Sequence, residues 1–95
     1  MSHPDSAAPL DAVPRRPMNV RIRNHRGTTV IGGYEHALEL SESAAFVWRQ
    51  IDGVRTLREI GRLMAGEYDI GEESAAHDVA ELAAELAAYD LLELG

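Results

Sequence analysis

Four histidines, a run of carboxylates and the absence of cysteine bound the chemistry open to this 95-residue chain. Without a thiol there is no disulfide staple, thiolate nucleophile or thiolate ligand, a usage compatible with a reducing cytoplasm. His3 lies near the start, His25 in an expected turn, His36 on an expected strand and His77 on an expected helix. None falls in a recognisable nucleophile or metal motif. Glu73, His77 and Glu81 stand at i, i+4 and i+8, so a metal can in principle use two of them. A solvated polar face with ordinary helix pairs explains the same spacing and is preferred. There is no phosphate-cradling glycine loop, since Gly32-Gly33 reads as a hairpin turn. No catalytic residue, metal or other cofactor is expected.

The distribution of charge excludes more than its sum of −7. All nine basic residues are arginines, and the last is Arg62. From Leu63 onward the only charged residues are Glu67, Asp69, Glu72, Glu73, Asp78, Glu81, Glu85, Asp90 and Glu93. Proteins that track phosphates need the opposite sign, so no nucleic-acid partner is expected. The opening MSHPDSAAPLDAVPRRP lacks the positive start and apolar core of a signal peptide, and no run approaches membrane-spanning length. A soluble cytoplasmic protein without a membrane partner is the expectation.

The elements that must position any site follow from periodicity and punctuation. Residues 1–17 carry all four prolines (Pro4, Pro9, Pro14, Pro17) and read as a flexible tail, with Arg15-Arg16 a solvated pair. Residues 18–95 make one small domain. Val20 and Ile22 alternate with Arg21 and Arg23 in a half-buried strand, Asn24 to Gly27 form a hairpin turn, and Thr28 to Ile31 form a second strand. After a turn at Gly32-Gly33, a third strand spans Tyr34 to Leu40. It puts Tyr34, His36, Leu38 and Leu40 on one face and Glu35, Ala37 and Glu39 on the other. A meander leaves this strand at an edge, where its two glutamates guard against indiscriminate pairing.

Three helices follow. Ser41 or Ser43 caps the first, whose buried stripe is Ala44, Val47, Trp48 and Ile51. Asp52-Gly53 stops it, with Gly53 free to turn left-handed. Thr56 and Glu59 form a capping box for the second, with Leu57, Ile60, Leu63 and Met64 inward and Tyr68 near its end. Gly61 and Gly66 each weaken that helix by about 1 kcal/mol relative to alanine. The third runs from about Glu72 to Ala88, with Val79, Leu82, Leu86 and Tyr89 in one stripe and alanines beside it. Asp90, where a glycine would turn more easily, makes its end the least defined boundary. Phe46 falls off its helix stripe and is a candidate partner contact. The fold class is α+β of winged helix-turn-helix type, a three-stranded antiparallel sheet followed by three helices.

The succession of strand, LSESAA, Trp48, I-D-G-x-R-T-x-x-E-I, Y-D-I, a helix with Asp78-Val79, and a closing Leu91-Leu92 resembles the PqqD-like family over roughly residues 19–94. Its members are the recognition elements of systems that modify ribosomal peptides. The resemblance implies that the leader of a precursor peptide adds to the third strand and lies against the third helix. Carried onto this chain, the strand wall is Tyr34, Glu35, His36, Ala37, Leu38 and Glu39, and the helix wall is Asp78, Val79, Leu82, Ala83, Glu85 and Leu86. Leu38, Val79, Leu82 and Leu86 are also core candidates. The implied partners are the leader and a separate maturation enzyme, either a lasso-peptide leader peptidase or the radical SAM enzyme of pyrroloquinoline quinone synthesis. The region MNVRIRNHRGTTV lacks the P-x-L-x-x-G-V opening of the latter kind, which inclines the expectation to lasso-peptide systems. The reading from another class is a transcriptional or structural interaction module of the same fold.

Overall fold

In the computed structural model, which describes residues 8–94, a three-stranded antiparallel meander precedes three helices. The elements are β1 (Pro14–Arg15), β2 (Arg21–His25), β3 (Thr28–Gly32), β4 (Ala37–Leu40), α1 (Glu42–Gln50), α2 (Leu57–Tyr68), α3 (Glu72–Ala88) and β5 (Glu93–Leu94). The meander has the order β2-β3-β4, and β1 pairs separately with β5. Arg26 and Gly27, both at positive φ, make the two-residue turn between β2 and β3.

The helix punctuation reads as expected. Ser41 caps α1 by accepting from the Ala44 N–H. Asp52 accepts from the Arg55 and Val54 N–H groups (2.8 and 2.9 Å), and these bonds hold its carboxyl below the usual carboxylate pKa. Gly53 takes the left-handed conformation at φ 80°. Both arms of the Thr56/Glu59 capping box are made. Asp90 adopts a left-handed φ of 59° directly after α3 ends, so a carboxylate does what glycine does more easily.

The core joins Ile31 and Leu40 of the sheet to Trp48, Leu57, Ile60, Val79, Leu86 and Leu91. Leu63, expected inside, is 41% exposed, and Gly61 and Ala65 are buried in α2 instead. The reason lies in α3, whose inward arc toward α2 is mostly alanine. A Cβ at Gly61 would stand 3.0 Å from the Ala76 Cα, so the two backbones meet where neither helix carries bulk. The propensity cost of Gly61 is therefore offset by close packing. Phe46 is half-buried edge-to-face on Tyr68, with ring centroids 5.7 Å apart, and closes the core margin.

Residues 8–17 do not form the expected tail; residues 1–7 of that expectation lie outside the described residues. The first-turn N–H groups of α2 have no partner within the helix. Leu57 N–H donates to the Ala12 carbonyl and Arg58 N–H to the Leu10 carbonyl (both 3.0 Å), while Ala8 N–H donates to the Ala80 carbonyl of α3. Ala8, Ala12 and Pro14 are buried. Arg16, expected in solvent, lies over the Trp48 ring at 5.2 Å and donates to the Trp48 carbonyl. The segment straps the helices and ends as β1 against β5.

Candidate functional site

The third strand is shorter than expected. Gly32 extends β3, Tyr34 and Glu35 make the turn, and β4 starts only at Ala37. Tyr34 is 89% exposed in that turn and shares no strand face with Leu38. The register pairs Gly32 with Ala37, Ile31 with Leu38, Val30 with Glu39 and Thr29 with Leu40. Leu38 and Leu40 thus share the inner face with buried Ile31, while Ala37 and Glu39 are exposed on the outer face.

The same register fixes which backbone groups are free. Gly33 N–H donates to the His36 carbonyl (2.8 Å), which makes 33/36 a hydrogen-bonded pair. Such pairs alternate along an antiparallel ladder, so 31/38 and 29/40 bond inward. The N–H and C=O groups of Ala37 and Glu39 then point away from β3. Among the described residues no strand occupies that side of β4.

Residues on one face of α3 reach depressions at both ends of this border. Asp78, Leu82, Glu85 and Tyr89 follow at i, i+4, i+7 and i+11, within a narrow arc of the helix. A depression of about 180 Å³ joins Asp78 and Leu82 to Ser41, Ser43 and Val47 where β4 runs into α1. A second, of about 240 Å³, joins Tyr89 and Asp90 to Gly33, Tyr34, Glu35 and His36 before β4. There the His36 and Tyr89 rings meet edge-on with centroids 5.2 Å apart. The two depressions thus bring residues of the α3 face to both ends of β4, one beyond its last residue and one before its first.

Of the expected helix wall, Asp78 and Glu85 are exposed and Leu82 is half-buried. Val79, Ala83 and Leu86 lie at 0–3% exposure and back the wall from the core. Tyr89 and Ser41/Ser43 were not among the expected site residues. Tyr89 stands at 4, 3, 4 spacing from Asp78, but its 3, 4, 3 spacing with Val79, Leu82 and Leu86 reads as one core-facing stripe. Away from these depressions, His77 Nε2 stands 3.2 Å from Glu81 Oε2, an ordinary i,i+4 pair, and no three metal-ligating side chains cluster among the described residues. No described helix is long and apolar enough to cross a membrane.

Known proteins with this sequence pattern and shape agree with one another. The family described as Coenzyme PQQ synthesis protein D (PqqD) matches residues 23–92. PqqA binding proteins from two strains of Xanthomonas oryzae pv. oryzae are each 33% identical over 91 residues, covering 94% of this chain and 99% of theirs. The solution structure of the PqqD truncation of Methylobacterium extorquens PqqCD, described as a functional, stand-alone RiPP recognition element, superposes with a TM-score of 0.80. It is 29% identical, with 93% of this chain and 96% of that one covered. Crystalline PqqD from Xanthomonas campestris gives 0.59 at 29% identity, over 81% and 88% of the two chains. These relatives favour the pyrroloquinoline quinone kind over the lasso-peptide kind to which the missing P-x-L-x-x-G-V opening inclined. That opening is a local departure before and within β2, outweighed by identity spread along the chain. Sequence and shape together place the chain in the PqqD family, whose domains are recognition modules and not enzymes.

Proposed function

We propose that this protein binds the leader of a ribosomal precursor peptide by strand addition to β4 and presents it to a separate maturation enzyme. The observation that carries the reading is the outward row of Ala37 and Glu39 backbone groups, flanked at both ends of β4 by depressions that α3 residues line. Main-chain hydrogen bonds supply affinity, and alternate side chains of the added strand turn toward α3 or lie on the outer sheet face. Leu82 and Tyr89 offer apolar contact; Asp78, Glu85 and Asp90 favour a leader with nearby cationic residues. The protein contributes effective concentration and orientation, and the partner enzyme supplies the chemistry.

The relatives' description as PqqA binding proteins supports a PqqA-type precursor, and the family resemblance implies a radical SAM enzyme as the partner. A lasso-peptide leader and its peptidase form the second reading. Titration of fluorescently labelled synthetic PqqA from Xanthomonas oryzae tests the assignment, with a generic DNA duplex at low salt alongside. Saturable peptide binding with no DNA binding is expected. Saturable DNA binding with a steep salt slope, and no response to the peptide, would assign the fold to a transcriptional role instead.

A further inference from the structure

The outer face of the sheet carries a feature that leader binding beside α3 does not use. Arg21 of β2, Gly32 of β3 and Ala37 of β4 are in register across the three strands. Directly opposed residues share a sheet face, so these three form one row. Gly32 and Ala37 leave that row almost without side chain: a Cβ at Gly32 would lie 3.5 Å from the Ala37 Cβ, in ordinary contact. The next row is Arg23, Val30 and Glu39. A depression of about 280 Å³ occupies this surface, lined by both arginines, Val30, Gly32 and Ala37, with Asn19 at its rim. Arg21 donates to the Met18 carbonyl, and neither arginine is in an ion pair among the described residues.

We infer that this lane is a specificity subsite for an acidic side chain of the bound peptide, the one on the residue opposite Ala37. The inference rests on strand addition at β4. The residue that exchanges backbone hydrogen bonds with Ala37 must project its side chain onto the outer face, as Ala37 does. Three strand spacings of about 4.8 Å separate the added strand from β2. A glutamate reaching inward and an arginine reaching outward meet over Gly32, where no side chain stands between them. Two residues along, the peptide residue opposite Glu39 faces a carboxylate, and an acid there is repelled. The expected signature is an acid opposite Ala37 and a neutral or basic residue opposite Glu39, with the intervening residue turned to the inner face.

The probe is the synthetic PqqA peptide with each residue replaced in turn by Glu and by Gln, titrated against the native chain and an Arg21→Gln/Arg23→Gln variant. At one position Glu binds the native chain about threefold to fivefold more tightly than Gln, the size expected of a solvent-accessible pair. Two residues away the order reverses. Both differences are read as Kd ratios, and the first collapses to unity in the double variant. Ala37→Leu, at an exposed position whose fold is checked by thermal melting, fills the lane and brings the Glu-to-Gln Kd ratio to unity. Equal affinity of Glu and Gln peptides at every position, on a native chain that still binds PqqA, overturns the subsite and leaves strand addition standing. A preference that survives in the double variant or in Ala37→Leu also overturns it. Failure of native PqqA to bind removes strand addition and the subsite together, before any substitution is compared.

Discussion

Helix α3 meets its two neighbours in opposite ways. Toward α2 it presents Ala75, Ala76, Ala80 and Ala83, all buried, and Gly61 lets the backbones close to contact. Toward β4 it presents Asp78, Leu82, Glu85 and Tyr89, three of them exposed, and two depressions open beside them. Small side chains weld one face, and longer ones, three of them polar-tipped, stand along the other. A recognition module needs both: a rigid wall, and a gap next to backbone groups left unpaired.

The largest effects should come from the welded side. Leu86→Ala removes a side chain only 1% exposed and is expected to cost about 2–5 kcal/mol in chemical denaturation. Leu82→Ala, half-buried beside a depression, should cost clearly less; equal losses would mean that Leu82 belongs to the core and that the wall ends at Asp78. Gly61→Val should cost about 1–3 kcal/mol, because its branched side chain has the Ala76 backbone in its path. If instead Gly61→Val were neutral, the two helices would not be in close contact there.

The open side is probed by a pair of prolines. Ala37 begins an edge strand and turns its N–H outward, so Ala37→Pro should change stability by under about 1 kcal/mol. It removes a donor that an added strand needs and should weaken PqqA binding by about tenfold or more, since register is lost as well as one bond. Leu38→Pro deletes a bond to β3 and leaves its acceptor unpaired, which should destabilise the fold by about 1–3 kcal/mol. Similar unfolding by both prolines would place the Ala37 N–H inside the sheet and close the proposed dock.

How much of this was legible depends on the range of the physics involved. Caps and turns are local: Thr56/Glu59, Asp52-Gly53 and Ser41 act within a few residues, and their spacing revealed the helices. The strap of residues 8–17 was not legible, because proline content describes local stiffness while the docking bonds reach Leu57, Arg58 and Ala80. Periodicity put Asp78, Val79, Leu82 and Leu86 near one another, but core and wall are separated only by the rotation of α3 against the sheet. The lane over Gly32 depends on register, and reading the turn at Gly32-Gly33 instead of Tyr34-Glu35 hides it. Local rules expose elements; pairing decides which of their faces become a site.

The smallest expected effect concerns the charge of the open wall. Asp78 and Glu85 are exposed, and neither is in an ion pair among the described residues. Neutralising both, as Asp78→Asn with Glu85→Gln, should leave stability within about 0.5 kcal/mol, as for most surface substitutions. Their influence on a cationic leader acts through solvent and should be modest, about twofold to fivefold in Kd at low salt. It should also fade as ionic strength rises and the Debye length shrinks to about 8 Å near physiological salt. The informative quantity is therefore the slope of log Kd against log salt for PqqA, which should flatten in the double variant. An unchanged slope with weakened binding would mean that these two side chains act by shape, and that leader selectivity by charge resides on the outer sheet face rather than on α3. The welded side offers no counterpart to this test, because its alanines carry nothing for salt to screen.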